Sequence, residues 1–440
     1  MQHIAVLNPL GDYGINQYCH ELAEGLGLNG ASVSFFTGAD CGLPPSSHHR
    51  RLPVLNSVLF KQRPALAGVA PSPATAIYSE PSVAVAPPNH SPLRKAFLTI
   101  ELALYLKAQR YDVVWTHWPE MESYHPGFWR LCRRLGMYVV HTVHNVSPHD
   151  GSASLSLPAP YKHADLLVVH SAFARAELLS AYPQVAAKTI VCLHGAYSIY
   201  LRRPEARDRV RQQLGVAPDQ PLILFCGAIR PYKNIDAVLH AMRDPRYSEA
   251  VLAVAGTEAG FADGVAGDSL GRTRRIAREL GIEDRMRLMP RHLSISEMSE
   301  LFEAGDIKVL PYLKGYGSGM LLLAMTFGKY IVSTRTGGAD EYLESYPRAT
   351  LLQGPSSEEV ADGIAEAIAR LDDPAPPASL SHLQWPAIAR QALECIGKGQ
   401  SQGIRYEMIS TAAGSRRPRT AKPRSSVAST PPRAAAKLSK

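Results

Sequence analysis

Short apolar segments alternate with longer amphipathic segments along both halves of this 440-residue chain. Short apolar runs are typical of strands buried on both faces of a sheet, and the longer stretches indicate the helices between them. The predicted strands are His3–Leu7, Val33–Phe36, Tyr111–Thr116, Tyr138–Val143, Asp165–Ser171, Thr189–Leu193, Pro221–Gly227, Ala250–Ala255, Met286–Met289 and Ile307–Leu310. Repeated β–α units in both halves predict an α/β fold with two Rossmann-like, doubly wound domains facing across a cleft.

A glycine-rich loop follows the last of these strands and leads into a short apolar helix. Gly315, Gly317 and Gly319 surround Ser318, and glycine adopts backbone angles that are closed to other residues. The helix start behind such a loop would present free N–H groups and a positive dipole end to an anion. A tight turn between buried elements explains the same glycines equally well, so the loop alone leaves both interpretations open.

The loop after the first strand differs from a dinucleotide-binding turn. Gly11 and Gly14 follow the spacing Gly-x-x-Gly rather than Gly-x-Gly-x-x-Gly, and no acidic residue clearly ends the second strand. A dinucleotide-binding unit normally has both features. A dinucleotide cofactor is therefore not predicted.

The formal net charge of +8 is confined to the end of the chain. Residues 411–440 carry eight basic residues and no acidic one, which leaves residues 1–410 neutral. A specific nucleic-acid partner is therefore not expected. The tail, 401–440, is rich in Pro, Ser and Ala and is predicted to be disordered. Residues 62–92 are rich in Pro and Ala and are predicted to form a mobile loop, either a surface insertion or a lid.

The cysteines and the absence of a long apolar run indicate the compartment. The six cysteines lie far apart without a Cys-x-x-Cys pair, so metal binding by thiolates is not expected. The first residues do not resemble a signal peptide, and no apolar run is long enough to span a bilayer. A cytoplasmic location is expected.

A basic amphipathic segment, Gly127–Leu135, has apolar residues at helical spacing beside three arginines. Segments of this type can lie on an anionic membrane surface, and Trp129 suits the headgroup zone. An ordinary surface helix with solvated arginines fits the same pattern. Weak peripheral contact with the inner face of the membrane therefore remains one of two interpretations.

Two successive β–α units end in histidines at the edge where open α/β sheets bind ligands. His117 follows one strand, and His144 and His149 follow the next, with Asp150 alongside. The spacing differs from the helical His-x-x-x-His of a zinc site, and no paired carboxylate is evident. A functional cluster is favoured here over ordinary polar loop residues, and no metal is predicted.

Four motifs occur along the chain in the order Asn8–Gly14, Phe225–Lys233, Ser318–Gly328 and Thr336–Glu341. They resemble the motifs of the GT-B glycosyltransferases, most closely those of glycosyltransferase family 4. The resemblance implies transfer of a sugar from a nucleotide-diphosphate donor to a glycan or lipid-linked acceptor, in polysaccharide or glycoconjugate biosynthesis. It also implies that no cofactor or bound metal is needed.

The resemblance covers about residues 1–396 and divides the chain into domains. Residues 1–200 are expected to form the acceptor-side domain and residues 201–384 the nucleotide-sugar domain. Residues 385–400 resemble the terminal GT-B helix that returns to the first domain.

The resemblance also assigns roles to single residues. The donor diphosphate is assigned to Arg230, Lys233, Ser318, Gly319 and Gly14. The donor sugar or nucleotide is assigned to Glu258, Arg291, Gly338 and Glu341. The catalytic candidates are His144 and Asp150, and the acceptor-side candidates are His117 and His149. An arginine can fork onto two phosphate oxygens, and a lysine adds a mobile point charge.

One departure from the family pattern concerns a pair of glutamates in the donor helix. The aligned positions hold Gly315 and Leu323, so neither the sugar contact nor the ribose contact of that pair can be made in place. Glu341 or Glu258 could substitute, and the donor sugar and the stereochemical outcome stay open. A catalytically silent GT-B module that binds a partner is the alternative function.

Overall fold

The computed structural model describes residues 1–8, 13–37, 43–52, 92–117, 125–146, 161–257, 268–374 and 379–401. Several sequence predictions fall outside these residues. They are the predicted loop up to residue 91, the tail beyond residue 401, and the site candidates His149, Asp150 and Glu258.

The first half of the chain forms a parallel sheet. Its seven described strands are β1 (His3–Asn8), β2 (Ser32–Thr37), β3 (Arg50–Leu52), β4 (Val113–His117), β5 (Tyr138–Thr142), β6 (Leu166–Val169) and β7 (Thr189–Val191). Their order is β3-β2-β1-β4-β5-β6-β7, with every described pairing parallel. This order switches direction between β1 and β4, where doubly wound sheets open a crevice for ligands.

The second half repeats the arrangement. Its six described strands are β8 (Leu222–Cys226), β9 (Val251–Ala255), β10 (Met286–Met289), β11 (Ile307–Leu310), β12 (Tyr330–Thr334) and β13 (Ala349–Leu352). The order β10-β9-β8-β11-β12-β13 reproduces that of the first sheet, again with parallel pairings. Two parallel sheets of Rossmann type confirm the predicted fold class. The exact domain boundaries remain a prediction.

Helices connect the strands of both sheets. The first sheet is joined by α1 (Tyr13–Leu28), α2 (Pro92–Ala108), α3 (His125–Arg134) and α4 (Ala172–Ala181). The second half contains α5 (Arg207–Gln213), α6 (Ile235–Ala241), α7 (Ser269–Glu279), α8 (Ile295–Ala304), α9 (Gly319–Thr326), α10 (Ala339–Leu343) and α11 (Ser357–Ala369). A final helix, α12, spans Trp385–Ser401.

The last helix packs against the first sheet's opening helix. Trp385 is 3% exposed, and its ring lies 5.0 Å from Tyr18 of α1 and 5.7 Å from His194. A Cβ on Gly195 would collide with that indole, and a Cβ on Gly25 of α1 would lie 2.6 Å from the Trp385 carbonyl oxygen. Both glycines therefore make room for the returning helix.

The arginine-rich stretch between the two sheets is fixed to the second sheet. Arg207 and Arg211 both pair with Asp306, which precedes β11, and Arg202 pairs with Glu303 of α8. Arg211 is only 2% exposed. The arginines of this stretch therefore serve in ion pairs and in hydrogen bonds to carbonyl groups of the second domain.

Trp129 faces the core of the first sheet, so the interpretation that places it in the headgroup zone of a membrane is wrong. Phe128 and Trp129 are each 1% exposed, and Trp129 Nε1 donates to Thr116 Oγ1 at 3.1 Å. Arg133 pairs with Asp165 at 2.9 Å, which leaves Arg130 and Arg134 exposed. The apolar stripe of this helix thus belongs to the core of the first sheet.

Across the described segments, no helix has both the length and the apolarity needed to cross a membrane.

Candidate active site

A cleft lies where the carboxyl ends of the two sheets meet. The first sheet contributes the start of α1 and the loops after β5, β6 and β7, and the second contributes the loops after β8, β11 and β12. Both sheets belong to one compact unit of the chain. The cleft therefore sits at the edge where parallel sheets place ligands.

One wall of the cleft carries two cations that lack an acidic partner among the described residues. Arg230 and Lys233 follow β8, and neither forms an ion pair within that part of the chain. Lys233 is 7% exposed, and its Nζ would lie 2.8 Å from a Cβ placed on Gly227. Burial, followed by the charges of Lys308 and Arg230, lowers the pKa of Lys233 to about 7. Uncompensated positive charge of this kind favours a bound anion.

The same wall holds the start of α9. Ser318 is its N-cap residue and makes no side-chain cap, so the first amides of the helix lack that partner. Gly317 has a φ of +68°, which turns the chain into the helix. A Cβ on Gly319 would lie 2.5 Å from the Tyr197 hydroxyl of the opposite domain. The glycine thus lets the helix start face the cleft, where its N–H groups are suited to an anion.

The opposite wall contains histidines from four neighbouring strands. His117 ends β4, and His144, His170 and His194 follow β5, β6 and β7. His144 lies between two of them, 3.3 Å from His117 Nδ1 and 3.4 Å from His170 Nε2. The Tyr18 ring of α1 lies within 5.4 Å of all four imidazole rings. Residues far apart in sequence therefore form one aromatic surface.

Two family models match this architecture. The model described as Glycosyltransferase Family 4 matches residues 13–196, and the model described as Glycosyl transferases group 1 matches residues 206–375. Together they cover every described strand of the two sheets except β1. The chain belongs to the GT-B glycosyltransferases of the family 4 type.

Two relatives are about a quarter identical to this chain over a little more than half of its length. It is 27% identical to D-inositol 3-phosphate glycosyltransferase 2 of Catenulispora acidiphila, over 54% of this chain and 58% of that protein. It is 26% identical to D-inositol 3-phosphate glycosyltransferase of Mycobacterium ulcerans, over 58% of this chain and 55% of that protein. The matches thus span less than two thirds of these relatives.

Solved structures resemble the whole fold. Sucrose-phosphate synthase from Thermosynechococcus elongatus has a TM-score of 0.63 and 19% identity, over 91% of this chain and 100% of that chain. Anabaena HepE in complex with UDP and glucose has a TM-score of 0.61 and 19% identity, over 92% of this chain and 98% of that chain. At this identity the likeness confirms the GT-B fold of the glycosyltransferase.

The histidine chain of the glycosyltransferase is neutral at pH 7. Burial lowers the pKa of His170 to about 4 and that of His194 to about 3, and it lowers the pKa values of His117 and His144 well below the usual range. A neutral imidazole has one donor and one acceptor nitrogen. The ligand-facing wall therefore presents polar but uncharged groups.

One carbonyl group fixes the tautomers of the hydrogen-bonded histidines. His170 Nδ1 lies 3.1 Å from the Cys192 carbonyl oxygen, which can only accept, so the proton is on Nδ1. His170 Nε2 then accepts from His144 Nδ1, and His144 Nε2 accepts from His117 Nδ1. The last acceptor in this series of hydrogen-bonded histidines is His117 Nε2, a buried atom without a hydrogen-bond partner in the described part of the protein.

The predicted donor residues of the glycosyltransferase do not all line the cleft. Gly14, Arg230, Lys233, Ser318, Gly319 and Arg291 line it together with His144. Arg291 is held by Glu297 at 2.7 Å. His117 is completely buried behind His144. Leu323, which the resemblance aligns with a ribose-binding glutamate, is also completely buried, so the apolar core occupies that position.

Gly338 and Glu341 lie where α10 meets the first domain. Glu341 Oε2 accepts from the Ala172 amide at 2.7 Å, and Oε1 accepts from the Phe173 amide at 2.8 Å. A Cβ on Gly338 would lie 2.6 Å from the Ser171 Cβ. In this structure the Glu341 carboxylate therefore caps α4 across the domain contact, and its assignment to the donor remains a prediction.

Tyr342 joins the same contact to the histidine wall. Its hydroxyl donates to the His170 carbonyl oxygen at 2.6 Å and accepts from the His194 amide at 2.8 Å. The side chain is 1% exposed. One hydroxyl of the second domain thus satisfies two backbone groups of the first.

Sequence reasoning did not identify His170, His194 and Tyr342 as site residues. The two histidines follow strands, as His117 and His144 do, in the segments Val169-His170 and Leu193-His194. Applying the strand-end criterion to every predicted strand would have found both. Tyr342 carries no comparable signal, because its role depends on how the two domains meet.

Proposed function

We propose that this protein transfers a sugar from a nucleotide-diphosphate donor to a hydroxyl group of a glycan or lipid-linked acceptor. The observation that carries the proposal is that two walls of different chemistry face each other across the cleft. Arg230, Lys233 and the start of α9 form a cationic wall, and the neutral histidines form the wall opposite. The names of its relatives, and a fold neighbour with UDP and glucose bound, support the same reaction class.

The cationic wall stabilises the departing diphosphate. As the glycosidic bond breaks, negative charge grows on the nucleotide diphosphate, and groups that contact it favour the transition state over the ground state. Arg230 provides a forked donor, Lys233 a mobile charge, and Ser318 with Gly319 the helix start. In this proposal the protein itself supplies the positive charge, and no cofactor or metal ion is required.

The histidine wall contacts the donor sugar. His144 Nε2 is an acceptor whose contact with His117 is long, at 3.3 Å. A sugar hydroxyl can therefore compete with His117 for this nitrogen. An uncharged wall also avoids attracting the diphosphate to the wrong side of the cleft. Asp150, the other catalytic candidate, lies outside the described residues.

Sugar transfer itself distinguishes this proposal from a silent binding module. The protein is incubated with UDP-, GDP- and ADP-sugars and candidate acceptors, and release of the nucleoside diphosphate is measured together with the mass of the acceptor. We expect one donor to give acceptor-dependent release and an acceptor heavier by one sugar residue. Binding of a donor without any transfer, across the acceptor classes named above, would favour the silent module.

The affinity for a nucleotide sugar is expected to fall as the pH rises above about 7. Lys233, with a pKa of about 7, is mostly neutral above that pH in the free protein, and a bound diphosphate favours its charged form. Binding then takes up a proton, and the affinity falls by up to about tenfold per pH unit. Below that pH, Lys233 is already charged in the free protein, so it does not make the affinity depend on pH.

Calorimetric titration with a nucleotide sugar across this range measures the effect. Lys233→Met should remove the slope, whereas Lys314→Met, at an exposed lysine of the nearby glycine loop, should retain it. An unchanged slope in Lys233→Met would show that another group takes up the proton.

We further propose a cytoplasmic location with weak contact to anionic membranes. Cys132, Cys192, Cys226 and Cys395 are free thiols, which suits a reducing compartment. With Trp129 buried, the membrane contact rests on the eight basic residues of positions 411–440. Salt-sensitive co-sedimentation with anionic vesicles, lost when residues 404–440 are deleted, is the expected result. Equal sedimentation with neutral vesicles would contradict it.

A further inference from the structure

Three side chains with metal-binding chemistry meet on the first domain, outside the cleft lining. His20 and Glu24 lie one turn apart on α1, and His49 comes from the segment that leads into β3. His49 Nε2 lies 3.1 Å from His20 Nδ1 and 3.5 Å from Glu24 Oε1. One donor atom from each residue lies within 4.8 Å of the other two. The three residues thus converge on one point.

The backbone around His49 is held in place for this convergence. Ser46 Oγ accepts from the amides of His48 and His49 at 2.9 and 3.0 Å. The His48 carbonyl rests directly on Gly27 of α1, where a Cβ would collide with it. Arg51 Nη1 donates to the Leu43 carbonyl at 2.9 Å. The segment is therefore fitted against α1 by contacts that do not involve the three converging side chains.

The cluster is buried, and one polar atom in it lacks a partner. His20 is 2% exposed and the His49 side chain 1%, whereas the Glu24 side chain is 20% exposed and leaves a path from solvent. His49 Nδ1 has no hydrogen-bond partner in the described part of the chain. Two imidazoles are thus buried with little hydrogen bonding to offset their desolvation, a cost that proteins usually compensate.

We propose that His20, Glu24 and His49 bind a divalent transition-metal ion, for which Zn²⁺ is the natural probe. Two imidazole nitrogens and one carboxylate suit Zn²⁺, whereas Mg²⁺ and Ca²⁺ prefer oxygen ligands. Bonds of about 2.0–2.1 Å in a tetrahedral site place the ligand atoms roughly 3.3–3.5 Å apart. The separations of 3.1 and 3.5 Å are close to this value.

The number of protons on the two imidazoles stays the same when the metal ion binds at this site. In the free protein one proton lies between His20 Nδ1 and His49 Nε2. When both nitrogens bind the ion, that proton moves to the other nitrogen of its own ring, so both imidazoles stay neutral. Glu24 binds as the carboxylate and offsets part of the charge of the ion, whereas the nearby Arg51 guanidinium adds to the positive charge of the site.

The ion would fasten the segment before β3 to α1. That helix presents Gln17 and Tyr18 to the cleft, and its Glu21 accepts from the amides of Ser198 and Ile199, between the cleft residues Tyr197 and Tyr200. Fixing α1 therefore supports the cleft without placing the ion in it. The proposal concerns a structural site, is independent of sugar transfer, and goes beyond the expectation of a metal-free protein.

Metal stoichiometry and thermal stability test the site in the full chain. The protein is stripped with EDTA, and Zn²⁺ is added in competition with a chromophoric chelator. We expect one ion per chain, a rise in melting temperature with Zn²⁺ but not with Mg²⁺, and a tetrahedral visible spectrum with Co²⁺. Loss of a hydrogen-bond partner of a metal ligand alone lowers metal affinity about 10–100-fold. Loss of the ligand itself in Glu24→Gln should therefore lower the affinity for Zn²⁺ by at least about 100-fold.

Matched variants separate this site from other histidines. His20→Gln and His49→Gln should lose the ion, whereas His48→Gln, at an exposed neighbour, and His170→Gln, in the cleft, should retain it. Glu24→Gln keeps the test valid if a buried histidine variant fails to fold, since that side chain is partly exposed. No bound Zn²⁺ in the wild type, or retention of the ion by Glu24→Gln and His49→Gln, would overturn the proposal.

Discussion

Replacing Lys233 or Arg230 with alanine is expected to lower turnover by roughly 30- to 1,000-fold, equivalent to about 2–4 kcal/mol of transition-state stabilisation. Both cations face the cleft, and neither has an acidic partner within the described residues. Removing one leaves the departing diphosphate with less compensation when its charge is greatest. Turnover at saturating donor measures the effect.

The fold should survive both substitutions. Lys233 is buried beside Lys308 and Arg230, so losing its charge relieves repulsion in the free protein. We therefore expect melting temperatures at or above the wild-type value. Lys314→Ala removes an exposed charge from the neighbouring loop and should leave turnover unchanged. Near-wild-type turnover in both Lys233→Ala and Arg230→Ala would show that the diphosphate does not bind at this wall.

Tyr342→Phe is expected to destabilise the protein by roughly 2–4 kcal/mol and to loosen the contact between the domains. The lost hydroxyl leaves the His170 carbonyl and the His194 amide without their partner, and each unsatisfied buried group costs about 1–3 kcal/mol. Chemical denaturation measures the first effect. The radius of gyration in solution measures the second, since a wider cleft increases it.

Tyr346→Phe is the matched control for this variant. Tyr346 is also buried, but its hydroxyl donates to the Lys329 carbonyl within the second domain. We expect this variant to lose stability while its radius of gyration stays at the wild-type value. A compact Tyr342→Phe protein, indistinguishable from Tyr346→Phe, would show that the hydroxyl does not hold the domains together.

Glu341→Ala separates two roles for that carboxylate. If Glu341 caps α4 across the domain contact, the variant should lose about 1 kcal/mol of stability without any nucleotide present. If it binds the donor instead, stability without nucleotide should stay unchanged and only donor affinity should fall. Glu344→Ala, at an exposed position nearby, is the control.

The sheets could be predicted because each buried strand is a local pattern. Apolar runs such as Val251–Ala255 define a strand without knowledge of any neighbour. β3, Arg50–Leu52, was missed because it is three residues long and contains two arginines. Trp129 was misjudged because an aromatic residue beside arginines has the same pattern whether it faces lipid or a core.

The cationic wall could be predicted because its residues follow strands within recognisable motifs. The histidine chain was only half predicted, since a single histidine after a strand carries little information. It gains meaning when the order β4-β5-β6-β7 places His117, His144 and His170 side by side. The docking of Tyr342 and the convergence of His49 with α1 depend on long-range packing, which no local pattern reports.

Ligand-dependent stability provides the most direct test of the proposed donor site. The wild type and the Arg230→Ala, Lys233→Ala double variant are melted with and without a panel of UDP-, GDP- and ADP-sugars. For the true donor at 100 times its Kd, mass action should stabilise the wild type by about 2.7 kcal/mol. We expect this stabilisation to disappear in the double variant at the same donor concentration. Equal stabilisation of both proteins, or none of the wild type by any donor, would contradict a diphosphate site between α9 and the β8 loop.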